Sequence, residues 1–298
     1  MDRPAIAIER FTKRFGSRVA VEDLSLEVPR GSIFGLLGRN GAGKSTTIKT
    51  LLNLLQPTSG RLSVLGLDSA ADAVALRARV GYLPEQPGYY RWMTVEEALA
   101  FHAAFHSTWD PALAADLMAR LELPPRSRLR DLSRGAQAKV GLVLALGSRP
   151  EVLVLDDPTS GLDAVVRREL LEAIIAGVHA EGGTVLLSTH MLHELERVAD
   201  EVAVLHEGRL VARGTVESLK ASTKRLHAVY PGPLPESFPI PGLLRVRRDP
   251  HQAVLTVNGF DGSLPERLRQ AGAESVQVID LSLEEIFVET VKGDRAHA

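Results

Sequence analysis

The chain has 298 residues, 45% hydrophobic and 24% charged, with a net charge of −2 and no cysteine. That balance is the one of soluble globular proteins, and the length suits one large domain or two smaller ones. It excludes disulfides and thiolate metal sites, and without a strongly basic footprint no nucleic-acid partner is expected.

The first residues, MDRPAIAIERFTKRFG, hold no apolar core of signal-peptide length. No apolar run approaches the ~20 residues needed to cross a bilayer. A membrane process would therefore need another chain to supply the membrane part.

Residues 5–11 alternate like a strand. Residues 12–17 (TKRFGS) read as a turn carrying an exposed aromatic, Phe15. Residues 20–28 alternate again. Residues 33–37 (IFGLL) form an apolar run that reads as a buried parallel strand. Next comes GRNGAGKS, from Gly38 to Ser45, the P-loop pattern of Gly, four residues, then Gly-Lys-Ser/Thr. Apolar Ile48, Leu51, Leu52 and Leu55 then recur at a helical period, predicting a helix over 45–55. Strand, glycine loop and helix in that order make an anion site. Backbone N–H groups along Gly38, Arg39, Asn40, Gly41, Ala42 and Gly43 turn inward, and the helix start through Thr46 adds its positive dipole end. Lys44 is placed to reach the β- and γ-phosphates of a nucleotide, and the Ser45 hydroxyl to bind Mg²⁺.

A strand over 61–66, a short helix over 70–79 and a strand over 80–83 follow, the last stopped by Pro84. From 84 to about 150 the pattern is helical. Thr94 and Glu97 have capping-box spacing for a helix through Phe105. Asp110 and Pro111 start another, to Leu121, and a basic, proline-broken link (123–130) precedes a helix from Ser133 to Leu146. Strand 152–155 (VLVL) ends in Asp156 and Asp157. A helix over 164–179 and a strand over 184–187 lead to Ser188, Thr189 and His190, then a helix to about Ala199. Edge strands are expected at 201–205 and 209–212. After about residue 222 a proline-rich entry precedes strands at 243–247 and 253–257, a helix at 264–271, a strand at 275–281 and a helix at 283–292. The predicted architecture is an α/β nucleotide-binding core over 1–222, with a helical insert at about 84–150, and a small α+β domain over 223–298.

Asp156 closes a buried strand, where open α/β sheets hold ligands, and is expected to hold Mg²⁺. Asp157 is placed to orient or deprotonate an attacking water, or it is a solvated carboxylate before Pro158. His102 and His106 share a helix face at a possible metal spacing, but no acidic pattern accompanies them, and they read as a solvated face. His193 reads the same way.

The discriminating stretch is 131–139 (DLSRGAQAK), with Ser133 lying 23 positions before Asp156. Here the sequence resembles the ATPase subunits of ABC transporters, from Ile6 to Gly214. LSRGA occupies the family's signature position, VLVLDDPTSGLD the Walker B strand and D-loop, LLSTH the switch-histidine loop and VGYLPE the Q-loop. The resemblance implies a P-loop fold of ABC-ATPase type that binds ATP and Mg²⁺ and hydrolyses ATP. It implies that Phe15 stacks on adenine; the alternative, from the residue read by itself, is a minor core residue. Glu85 would serve at the metal or the water, and His190 would sense the γ-phosphate. Two cassettes would dimerise head to tail, with Ser133 and Gly135 completing the nucleotide site of the other copy, and Asp163 would be among the nucleotide-binding residues. The implied partners are a second ATP-binding subunit and a separate membrane permease, which would hold the chain at the inner face of the cell membrane. Aspartate stands at 157 where the family usually has glutamate, Glu85 where it has glutamine, Arg134 for the first signature glycine and Ala136 for the signature glutamine. LSRG, LPE and the ending LSLEEIFVETVKG resemble the branch paired with ABC-2-type permeases, which export drugs, antibiotics, peptides or polysaccharides. Two rival readings stay open at this point: an ATP-gated switch that scarcely hydrolyses, and a soluble ABC ATPase acting on ribosomes or DNA.

Overall fold

The computed structural model describes residues 3–179 and 182–294. Two compact units divide the chain. The first runs to residue 190 and includes 205–210; the second comprises 191–204 and the chain from 211 on.

In chain order the first unit contains β1 (Ile6–Phe15), β2 (Arg18–Val28), β3 (Ile33–Leu37), α1 (Lys44–Leu51), β4 (Ser59–Val64), β5 (Leu67–Asp68), α2 (Ala73–Arg77) and β6 (Val80–Leu83). Then come α3 (Val95–Ala103), α4 (Pro111–Arg120), α5 (Arg134–Leu146), β7 (Val152–Asp156), α6 (Ala164–His179) and β8 (Thr184–Thr189). Four strands form one antiparallel sheet in the order β2-β1-β4-β5. The turn expected over 12–17 shrinks to Gly16 and Ser17. Strand β1 continues to Phe15, which pairs with Arg18 across the hairpin.

Strands β3, β8, β7 and β6 lie side by side in that order, all parallel. Two further strands, β9 (Glu201–His206) and β10 (Arg209–Thr215), are divided between the two units. Every residue of β3, β7 and β8 is buried, which is why these segments read as unbroken apolar runs. The register pairs Leu37 with Thr189, Asp156 with Ser188 and Leu83 with Leu155. The C-terminal ends of four strands are thereby level, and the P-loop, Asp157 and His190 leave the sheet from the same edge.

The helical insert has the predicted starts. Thr94 and Glu97 form a capping box on α3, Asp110 caps α4 with Pro111 behind it, and Ser133 caps α5. Helix α1 ends four residues early. Asn53 turns left-handed (φ 55°), and both Leu54 and Leu55 donate N–H to the Lys49 carbonyl.

The second unit contains α7 (Leu192–Leu195), α8 (Val216–Ser222), β11 (Thr223–Val229), β12 (Leu243–Asp249), β13 (Gln252–Asn258), α9 (Leu264–Gln270), β14 (Ser275–Asp280) and α10 (Leu283–Asp294). Its sheet runs β12-β13-β11-β14, antiparallel throughout. Leu226, Leu255 and Val257 pack on one face with Leu264, Leu268 and Phe238. Glu289 of α10 is buried with Oε1 3.5 Å from both Arg225 and Arg245. Helix α7 is shorter than the helix expected to Ala199, and α8 and β11 lie where the composition pointed to a boundary and a proline-rich loop.

Candidate nucleotide site

The P-loop is shaped by close backbone packing. Gly43 is left-handed (φ 107°), and a Cβ there would stand 2.8 Å from the Ala20 carbonyl and 2.9 Å from Val21 Cγ2. A Cβ on Gly38 would meet the Leu205 carbonyl at 2.6 Å. Gly43 is also the N-cap of α1 and offers no side-chain cap. The first-turn N–H groups are therefore left for an external anion.

Lys44 is buried, and its ammonium donates to the carbonyls of Gly38 (2.7 Å) and Arg39 (3.4 Å). Burial pushes its pKa down, while the charges of Asp157, Asp156 and Glu85 push back. A cation held this way, against three carboxylates, is placed for phosphate oxygens. Arg39, Asn40 and Gly41 are exposed, Ala42 is buried and Thr46 half-buried.

The second half of the site joins β7 to β8. Asp156, 2% exposed, accepts Ser45 Oγ–H at 3.0 Å and Ser188 Oγ–H at 2.8 Å on the same oxygen, Oδ1. Asp157 is buried, which removes the solvated alternative. Its backbone is left-handed (φ 50°), and its N–H donates to the Ser188 carbonyl (3.0 Å) and Oγ (3.2 Å). Oδ2 lies 2.6 Å from His190 Nδ1, and buried Oδ1 has no hydrogen-bond partner among the described residues. An ionised carboxylate only accepts, so Nδ1 carries the hydrogen in that pair.

Glu85 is exposed just after β6, and the influence seen for it is electrostatic, on Lys44. Phe15 is 48% exposed, which rules out a core role, with Lys13 Nζ 4.9 Å above its ring. Its hairpin partner Arg18 lies beside Gly41, 3.9 Å from where a Cβ would stand. The hairpin thus brings an open aromatic ring to the P-loop side of the unit.

Ser133, Gly135 and Asp163 stand apart from this cluster in their bonding. Ser133 is exposed and accepts Ala136 N–H (3.2 Å). Asp163 caps α6 by accepting N–H from Val165 (3.0 Å) and Val166 (3.1 Å); the Val166 bond leads the causes that hold its carboxyl below the usual range. Gly135 is buried, and a Cβ there would meet Val166 Cγ1 at 2.8 Å. It allows α5 and α6 to pack closely.

His102 and His106 correct the solvated-face reading. They are half-buried, with rings stacked 4.4 Å apart and Trp109 5.7 Å from His102. Burial, helped by His106, pushes the His102 pKa down to about 4 against a hydrogen bond to Leu144. Among the described residues no three His, Asp or Glu side chains form a metal cluster. A Mg²⁺ site does not need one, because this ion commonly takes one or two carboxylates together with substrate phosphates. The paired Ser45 hydroxyl and Asp156 carboxylate fit that donor set.

Two site residues carried no sequence signal of their own. Ser188 was one polar residue in LLSTH until the register set it opposite Asp156. Arg18 reaches the P-loop only through the hairpin.

Comparisons with known proteins place the chain in a family. The family described as "ABC transporter" matches residues 21–160. An AAA domain family, described as a putative AbiEii toxin of a type IV toxin–antitoxin system, matches 127–196. The daunorubicin resistance ATP-binding protein DrrA3 of Streptomyces coeruleorubidus is 33% identical, over 98% of this chain and 97% of its own. The bacitracin transport ATP-binding protein BcrA of Enterococcus faecalis is 33% identical, over 74% of this chain and 72% of its own. A solved ATP-binding subunit of an ABC transporter superposes with a TM-score of 0.67 at 32% identity, covering 73% of this chain and 92% of that one.

Proposed function

Because the chain belongs to the ATP-binding subunits of ABC transporters, a family of ATPases, we propose that it powers a separate export permease from the cytoplasmic face of the membrane. ATP would lie with its phosphates on the P-loop N–H groups and the Lys44 ammonium, and its adenine against Phe15. Ser45 and Asp156 would hold Mg²⁺, which would supply charge neutralisation at the phosphates. Asp157 Oδ1 accepts a hydrogen of the attacking water, while His190 fixes Oδ2. In-line attack on the γ-phosphorus forms one P–O bond and breaks the bond to the β-phosphate oxygen, giving ADP and phosphate. The observation that carries this reading is the buried Asp157 carboxylate, held on one oxygen by His190 while the other, also buried, has no hydrogen-bond partner among the described residues.

Two copies would close head to tail, with the N-terminus of α5 at Ser133 facing the nucleotide of the other copy. The permease is expected on the helical insert. Tyr90, Trp92, Phe101 and Phe105 form an exposed run of rings with centroids 5.1–6.1 Å apart. Phe105 lines a groove of about 450 Å³ together with Leu54, Val74, His102 and Leu144, whereas Tyr90 and Phe101 line a neighbouring one that shares His102 and Leu144. An apolar patch of this kind on an otherwise charged surface marks an interaction site. No helix among the described residues is long and apolar enough to cross a membrane, and the relatives named above serve transport or drug resistance. The occupant proposed for this face is an apolar segment of the permease. Co-purification of the chain with such a permease, lost on Phe105→Glu with ATP binding retained, tests this surface. Retained co-purification would place the permease elsewhere.

A further inference from the structure

The loop that follows Asp157 is gripped by a side chain from another element. Residues 157–163 fold as successive tight turns, with Ser160 N–H to the Asp157 carbonyl and Leu162 N–H to the Thr159 carbonyl, both 3.2 Å. At the apex Gly161 is left-handed (φ 70°), and a Cβ there would stand 2.8–3.1 Å from the guanidinium atoms of Arg134. Arg134 Nη2 points at the Ser160 carbonyl, 3.5 Å away. The planar guanidinium thus lies over the Ser160–Gly161 turn, in space that a side chain at 161 would occupy.

Arg134 is the first residue of α5, directly after the Ser133 cap. Helix dipoles disfavour a cation in the first turn, so helix stability is not what places an arginine here. Farther along, Gly135 packs on Val166 and Lys139 pairs with Glu169 at 2.7 Å. Those contacts join α5 to α6, whereas Arg134 reaches back to the turn next to Asp157. A glycine at 134 would leave that turn without this grip.

We propose that Arg134 is a positioning residue that clamps the Ser160–Gly161 turn to the start of α5, so that the Asp157 carboxylate and the Ser133 helix end shift as one body. The inference rests on Asp157 acting as the base. The full chain carrying Arg134→Ala is expected to lose about tenfold in kcat, less than the about 10²-fold that a 1 Å misplacement can cost. ATP affinity should be unchanged, because the P-loop is untouched. Arg134→Lys keeps the charge without the planar fork, and should stay nearly as slow. Amide hydrogen exchange across 158–163, measured without nucleotide, should rise in Arg134→Ala. Wild-type kcat, a loss confined to KM, or unchanged exchange in the loop would overturn the clamp. Wild-type hydrolysis by Asp157→Asn would instead show that the base is misassigned, and the exchange measurement would still decide whether Arg134 holds the turn.

Discussion

Replacing Asp157 by asparagine tests the site at its centre. Asparagine has nearly the shape of aspartate and is among the few side chains that tolerate a left-handed backbone, so φ 50° at this position need not change. Its N–H can still donate to Ser188 (3.0 Å and 3.2 Å), and its amide oxygen can still accept from His190 Nδ1. What disappears is the charge, and with it the unpartnered acceptor Oδ1. General bases contribute about 10²–10⁴-fold, and turnover should fall by about that factor. The aspartate is one methylene shorter than the family's usual glutamate, so the wild-type rate is itself expected to be slow. Stability should not fall, because a buried carboxylate oxygen without a partner costs about 1–3 kcal/mol and an amide is cheaper to bury. The assay is single-turnover hydrolysis of labelled ATP with excess protein, alongside ATP binding by calorimetry and a light-scattering test for an ATP-bound dimer. Slow hydrolysis, normal affinity and a trapped dimer support the assignment. Hydrolysis at the wild-type rate would refute it and turn attention to Glu85 or His190.

Other outcomes follow from the same geometry. Lys44→Ala should weaken ATP binding by about tenfold or more with the fold intact, since a tenfold loss corresponds to only about 1.4 kcal/mol; unchanged calorimetric affinity would remove the nucleotide from the P-loop. Ser133→Arg should abolish ATP-driven dimerisation while monomer ATP binding stays normal; a dimer by light scattering would exclude the head-to-tail contact. His102 has its pKa pushed down to about 4 from an ordinary 6.5, so between those values the unfolded chain binds the extra proton and stability falls as pH falls. Thermal melts at pH 7 and pH 5 should differ less in His102→Leu than in the wild type; an equal drop would show that His102 is not responsible.

The parts of the fold that local chemistry determines were legible in the residues. Strands 33–37 and 80–83 have the observed ends because they are apolar runs cut off by Gly38 and Pro84. The capping box at Thr94, the Asp110–Pro111 start and the Ser133 cap were legible because each is an arrangement of neighbours in sequence. Strand β11 was not, because its alternation stops at a proline-rich loop that dominated the composition there. The half-buried state of His102 was hidden as well, since it depends on Trp109 and Leu144 packing against the same helix face. The P-loop, Asp156, Asp157 and His190 carried motif signals, whereas Ser188 and Arg18 acquire their places only when distant strands pair.

That difference explains how the site is held together. Strand β8 lies between β3 and β7, so the P-loop strand does not touch the strand that carries the acidic pair. Ser188 spans the gap. Its hydroxyl donates to Asp156, which also accepts from Ser45, and its carbonyl and hydroxyl both accept from the Asp157 N–H. A left-handed non-glycine residue costs about 1–3 kcal/mol and persists only where its surroundings over-determine it. Here the two bonds to Ser188 hold the Asp157 backbone and the bond to His190 holds its side chain. The residue is thus fixed at its backbone and at its side chain. A single polar position in β8 ties the Ser45–Asp156 pair to Asp157, the proposed metal ligands to the proposed base.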